Sequence, residues 1–238
     1  MDLKELEQID ANEFRHWYYR SKFLALKKMI DNIQADEILD VGAGSGIFSK
    51  MMLMDNSCQS ACCLDTGYTF NKIDFINGHQ IQYLNKIDLI NQTLVLFVDV
   101  LEHIDDDTAF LREYVEKMPA GCHVLISVPA FMFLWSRHDV FLNHQRRYTR
   151  AQLEKVVRAA GLDIMDTRFF FGLIFPIAAC MRIFSRMRKN DAVKSDLVSV
   201  PSWLNIFLTG IHVLETETLF RINKLCGLSV FCLAKKPT

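Results

Sequence analysis

Glu37-Ile38-Leu39-Asp40-Val41-Gly42-Ala43-Gly44-Ser45-Gly46 is a short apolar run that breaks into three alternating glycines. An apolar run of this length suits a strand buried on both faces, as in a parallel sheet. The glycines let the chain turn sharply and bring backbone N–H groups close to a ligand, and the helical pattern over 47–53 adds a helix N-terminus to the turn. Such a strand–turn–helix is where a parallel sheet receives a nucleotide-type cofactor. Asp40 lies near the strand end, placed to orient the loop or to reach a cationic ligand group through water. The spacing is G-x-G-x-G, whereas the dinucleotide fingerprint is G-x-G-x-x-G. By itself a glycine turn is also compatible with a tight connection and nothing more.

Working outward, Phe14, Trp17, Tyr18, Phe23, Leu24, Leu26 and Ile30 recur at helical intervals and predict one or two helices over 13–33. Short apolar runs predict strands over 61–64, 81–83 and 93–100. Asp105-Asp106-Asp107 then opens a helix to about 118, with negative charge at the positive end of its dipole, and Pro119-Ala120-Gly121 stops it. A strand is predicted over 123–128. Thr149-Arg150-Ala151-Gln152 is a capping-box pattern for a helix that Gly161 closes. Two β-like runs follow, over 164–171 and 228–234. Strands alternating with helices imply a doubly wound, mostly parallel α/β sheet of about seven strands, Rossmann-like, with an N-terminal helix before it. The stretch 172–227 separates the last two strands by more than a hairpin needs, and its periodicity implies two or three helices over an edge or the mouth of the sheet. The expected division is an entry segment 1–36, a cofactor domain 37–171, a helical cap 172–226 and a final strand within 227–238.

The 238 residues are 50% hydrophobic and 23% charged, enough for a buried core and unlike a disordered chain. A formal net charge of −1 argues against a general nucleic-acid binder. The first ten residues lack the basic region and apolar stretch of a secretory leader. Seven scattered cysteines fit reduced thiols better than a disulfide framework, so a cytoplasmic protein is expected. No metal is expected: Cys58, Cys62 and Cys63 have no second ligand pair to complete a zinc site. Mean hydropathy is +0.11, with the apolar excess over 169–181 and 203–214. Both runs are shorter than the ~20 residues of a spanning helix, which leaves contact with a membrane surface open.

Two further features sharpen the cofactor. Asp65 follows the second strand, where a carboxylate can accept hydrogen bonds from both ribose hydroxyls of an adenosine group. Val98-Asp99-Val100-Leu101-Glu102-His103-Ile104 ends the central strand, beside the glycine loop. With the loop over 39–46, these residues resemble the class I S-adenosylmethionine-dependent methyltransferases of the type 11/12 branch, over roughly 38–170. The resemblance implies S-adenosyl-L-methionine as cofactor. It places Gly42 and Gly44 at the methionine end, within a cofactor-binding loop that includes Ala43 and Gly46, Asp65 on the ribose, and Asp99 and Val100 beside the sulfonium. Asp88 is the nearest residue to the adenine position. His16, Trp17, Tyr18 and Arg20 resemble an aromatic-plus-arginine entry helix in which Arg20 pairs with the cofactor carboxylate; core packing explains Trp17 equally well.

The acceptor side is sought in Ser136-Arg137-His138-Asp139 and Asn143-His144-Gln145-Arg146-Arg147-Tyr148, after the aromatic Phe131, Phe133 and Trp135. Methyl transfer from a sulfonium is a direct displacement in which the enzyme mainly aligns donor and acceptor. A hydroxyl acceptor also needs a base, for which His144, His138 and His103 are candidates, with Asp139 orienting a ring. A loop held by Arg–Asp and His–backbone bonds is the structural alternative. His138, Asp139 and His144 match no common metal-ligand spacing. Arg182, Arg186, Arg188, Lys189 and Lys194 beside the apolar cap fit anionic lipid, so the expected partner is a small-molecule or lipid-linked acceptor, with an ordinary lid or dimer face as the alternative. Monomer and homodimer are both compatible. Two other functions stay open: a nicotinamide-dependent oxidoreductase, and a cofactor-binding module without catalysis.

Overall fold

The structure is a computed structural model that describes residues 13–186 and 200–238. Eight strands form one sheet: β1 (Glu37–Val41), β2 (Ser60–Leu64), β3 (Lys72–Ile76), β4 (His79–Leu84), β5 (Leu94–Val98), β6 (His123–Pro129), β7 (Asp163–Phe170) and β8 (Ser229–Lys235). Their order is β3-β4-β2-β1-β5-β6-β8-β7. The pairs joining β4, β2, β1, β5 and β6 are parallel, whereas β8 lies antiparallel between β6 and β7. The helices are α1 (Trp17–Met29), α2 (Ile47–Met54), α3 (Asp107–Lys117), α4 (Arg137–Phe141), α5 (Arg150–Ala159), α6 (Phe175–Arg186) and α7 (Ser202–Glu217).

Side-chain alternation along β5 shows why the sheet is covered twice. Leu94, Leu96 and Val98 pack with Leu26 of α1 and Met52 of α2, and Val95 and Phe97 pack with Leu111 of α3 and Leu153 of α5. Each such side chain taken out of water contributes about 1.5–3 kcal/mol, so the central strands anchor both layers. The expected capping box opens α5, where the Gln152 N–H donates to Thr149 Oγ1 and the Thr149 N–H donates to Gln152 Oε1.

The sheet has eight strands where seven were expected. The extra strand is β3, an antiparallel edge paired with β4 through Asn77 and Gly78, both at positive φ (50° and 84°). Two left-handed residues match the type I′ hairpin turn that Asn-Gly favours. Exposed Lys72, Ile73 and Phe75 give β3 no apolar run to read.

α1 and α7 pack against each other. The Trp17 N–H donates to Asn205 Oδ1 (2.7 Å), and Asn205 Nδ2 donates to the Arg15 carbonyl (2.8 Å). The Trp17 ring stacks on His212 at 5.7 Å, and Lys28 pairs with Glu217 at 2.8 Å. No helix among the described residues is long and apolar enough to cross a membrane. Of the basic residues assigned to the cap, Arg188, Lys189 and Lys194 lie outside the described residues.

Candidate active site

The turn after β1 is built from backbone. The Gly42 and Ala43 N–H groups donate to the Leu64 carbonyl (2.7 and 3.2 Å), and the Gly46 N–H donates to Ala43 (2.8 Å). Gly42 has φ of +68°, and a Cβ there would stand 2.7 Å from Val100 Cγ2, so the tips of β1 and β5 touch only because the side chain is absent. Asp65, at the tip of β2, accepts the Gly44 N–H (2.9 Å) and the Gly67 N–H (2.8 Å). Tyr68, which the sequence did not single out, donates to the Gly44 carbonyl (2.6 Å). Bare backbone and one carboxylate thus share a rim at the carboxyl ends of β1, β2 and β5, a cradle that fits an adenosine joined to an amino acid.

Asp40 is buried and accepts a hydrogen bond from Ser49 Oγ (2.8 Å) on α2. Burial pushes its carboxyl up to about 6, against the opposing effect of Ser49. It therefore ties the loop to the following helix. Asp88 is exposed and paired with Lys86. Arg20 is exposed on α1, whereas Lys22 on the same helix is fully buried and ion-pairs with Asp99 at the tip of β5. The Tyr18 hydroxyl also reaches the Asp99 carboxylate (3.5 Å). The sequence held no local sign of Lys22, because the pair spans 77 residues.

The loop after β6 closes on the end of β5. Asp139 is fully buried and meets His144 Nδ1 at 2.9 Å, the Arg147 Nε–H at 2.7 Å and the Ser136 N–H at 2.7 Å. Burial alone raises a carboxyl; here His144, Arg147 and the Ser136 N–H outweigh it and hold Asp139 well below the usual range. Asp139 thus holds an imidazole and a guanidinium at once. The His103 and His144 rings stand 4.8 Å apart, and His138 is 6.4 Å from His144. Glu102 adjoins His103 and His144, wholly buried, and neither carboxyl oxygen has a hydrogen-bond partner among the described residues. Burial and then the Asp99 charge push it well above the ordinary range. Its own backbone N–H favours the charged form without meeting hydrogen-bond geometry.

Backbone strain marks the same edge. Asp99, Phe131 and Phe171 have φ of 55°, 58° and 62° and follow β5, β6 and β7, whose carboxyl ends share one side of the sheet. For residues with a Cβ this conformation costs roughly 1–2 kcal/mol each, and the packing around them must hold it in place. Phe171 stacks on Tyr18 at 5.5 Å, and Phe131 stacks on Phe169 at 5.0 Å.

The fold and the glycine rim define a Rossmann-like enzyme that uses a nucleoside-bearing cofactor. A model of the methyltransferase domain matches residues 13–167, and the chain belongs to that family. It is a class I methyltransferase, and S-adenosylmethionine is its cofactor. The nicotinamide and non-catalytic alternatives are not favoured. Similar solved structures include an S-adenosylmethionine-dependent methyltransferase from Archaeoglobus fulgidus, 17% identical over 92% of this chain and 94% of that one, with a TM-score of 0.53. Phosphoethanolamine N-methyltransferase 2 of Haemonchus contortus, in complex with S-adenosyl-L-methionine, is 12% identical over 94% and 56%, with a TM-score of 0.55. The [4+2]-cyclase SpnF is 12% identical over 92% and 80%, with a TM-score of 0.51. Likeness at these identities speaks to the fold alone. No curated protein matches the chain in sequence.

Proposed function

We propose that this methyltransferase acts on a hydroxyl of an amphiphilic acceptor, small or lipid-linked, whose proton is withdrawn at the cluster of Glu102, His103 and His144. The observation that carries this is the His144–Asp139 contact, which fixes an imidazole beside the strand tip that bears Asp99 and Val100. The bound cofactor supplies a sulfonium-linked methyl group. The chain's own residues have two tasks: to hold the acceptor in line, and to take its proton at a group set within reach. In this proposal the backbone of Gly42, Ala43, Gly44 and Gly46 carries the amino-acid end of the cofactor and Asp65 the ribose. Asp99 and Val100 wall the pocket, with Lys22 behind Asp99. His138 lines the acceptor side at the edge of the cluster.

An amphiphilic acceptor is supported by the faces of α6 and α7 that meet water. Ile177, Met181, Phe184, Trp203 and Ile206 are each about two-thirds exposed or more, and apolar patches of this kind mark sites of interaction. The experiment supplies labelled S-adenosylmethionine with long-chain and short-chain hydroxyl acceptors, and with the matching amines. Label in the long-chain alcohol is expected, and His144→Gln should lower kcat by roughly 100-fold with cofactor affinity unchanged. Label confined to amines or to short-chain acceptors overturns the acceptor class. An unchanged kcat in the His144 variant overturns the cluster's part.

A further inference from the structure

Glu102, His103 and His144 come from two segments that the fold brings together, and one carboxylate oxygen and two ring nitrogens lie within 4.8 Å of one another. The segments are stitched at three points. The Gln145 N–H donates to the Glu102 carbonyl (2.8 Å), Gln145 Nε2 donates to the His103 carbonyl (3.0 Å), and the Tyr148 hydroxyl, bonded to the Asp107 carboxylate (2.7 Å), also lies 3.1 Å from the Leu101 carbonyl. The three groups therefore sit on a braced scaffold.

We propose that Glu102, His103 and His144 form a binding site for one divalent cation of the zinc, cobalt or manganese class. The first support is Glu102 itself. A fully buried carboxyl group with both oxygens lacking hydrogen-bond partners is costly unless something satisfies it. The nearby cation Lys22 is engaged by Asp99. The second support is the outer contact of His144. A metal-bound imidazole ordinarily gives its other nitrogen to a carboxylate, which fixes the ring and raises its basicity. Asp139 meets Nδ1, which leaves Nε2 for an ion, and Asp139 is itself held by Arg147 and Ser136.

Ligand chemistry selects the ion. Two imidazoles and a carboxylate suit zinc-like cations, whereas magnesium and calcium prefer an all-oxygen set. Ligands at about 2.1 Å from a shared ion stand roughly 3–4 Å apart, so loading draws half-buried His103 inward while His144 stays pinned. Three protein ligands leave a coordination position open. The cation's role there rests on the proposed hydroxyl acceptor: with the three side chains engaged as ligands, an oxygen bound at the open position gives its proton to solvent more readily, and the oxyanion then takes the methyl group as the C–S bond of the sulfonium breaks and the demethylated cofactor leaves.

The test begins with chelator-treated full chain titrated with Co2+ and followed by visible absorption, then competed with Zn2+ and with Mg2+. One equivalent is expected, with nitrogen–oxygen ligation and no thiolate charge-transfer band, displaced by Zn2+ and not by Mg2+. Glu102→Gln, nearly isosteric, and His144→Gln should each weaken binding at least tenfold, while cofactor affinity measured by calorimetry shows that the variants are folded. Absence of binding, a thiolate band, or unchanged affinity in folded Glu102→Gln overturns the site. Failure of the acceptor proposal reads differently. Co2+ bound with these signatures, alongside no transfer to any alcohol, sustains the site and overturns the acceptor. Undiminished transfer to alcohols in chelator, with no Co2+ bound, does the reverse.

Discussion

Lys22 and Asp99 form an ion pair that fastens α1 to the tip of β5, the ammonium fully buried and the carboxylate 18% exposed. The two ends are therefore unequal. Asp99→Asn leaves an uncompensated buried ammonium and should cost about 3–5 kcal/mol. Asparagine accepts the left-handed backbone at this position, so the cost is electrostatic. Lys22→Met leaves a carboxylate that water still reaches and should cost about half as much. Urea denaturation of both variants checks the ranking, and a reversed order refutes it.

Gly42 and Val100 make a second paired prediction. Gly42→Ala meets both a crowded Val100 and a positive φ, and should destabilise by roughly 2–4 kcal/mol. Val100→Ala in the same chain removes the nearer contacts, leaving the conformational cost of about 1–2 kcal/mol. A double-mutant cycle should show coupling of at least about 1 kcal/mol. Simple additivity means that the strand tips do not meet as described.

Asp40 gives a pH signature. Its folded carboxyl is raised from 3.8 to about 6, so between those values the native state binds more protons than the unfolded chain. Stability then falls as pH rises through that window, and the loss persists above it. Asp40→Asn should flatten this slope and raise stability at pH 7.5 by on the order of 1–3 kcal/mol. Thermal melts of both proteins across pH 4–8 check the sign; parallel curves would falsify the assignment to Asp40.

Asp65 carries the fourth prediction. Asp65→Ala removes the acceptor for the Gly44 and Gly67 N–H groups and the proposed ribose contact together. Hydrogen bonds to a charged group contribute about 1.5–3 kcal/mol each, so cofactor affinity should drop at least about tenfold. Calorimetry with the demethylated cofactor measures it. Asp65→Asn, which keeps an acceptor oxygen, should fall between.

What the sequence made legible was local. The apolar run of β1, its glycine turn, the Thr149–Gln152 capping box and the buried strand β5 declare themselves within a few neighbours, because a strand or a cap is specified by adjacent residues. The Asn77-Gly78 turn was also there to be read, yet polar Lys72 and Asp74 obscured the strand it serves. Ser136 and Asp139 likewise form a capping box for the short α4, hidden by their resemblance to a catalytic loop. Lys22, and the meeting of Glu102 with His144, lay beyond reach. Their partners are set by how helices and loops return to the strand tips, and no spacing along the chain encodes that return.

The position of β8 has a consequence for synthesis. β6 leaves the ribosome with one edge bare and β7 with no neighbour, and both wait until α6 and α7 have been made and β8 slots between them. The cofactor half of the sheet can close on nascent chain, whereas this half cannot. A chain stalled after α7 would carry three unsatisfied strand edges, one on β6 and two on β7, the kind of surface that pairs with other chains. Insertion of β8 thus removes bare edges from β6 and β7 in one step.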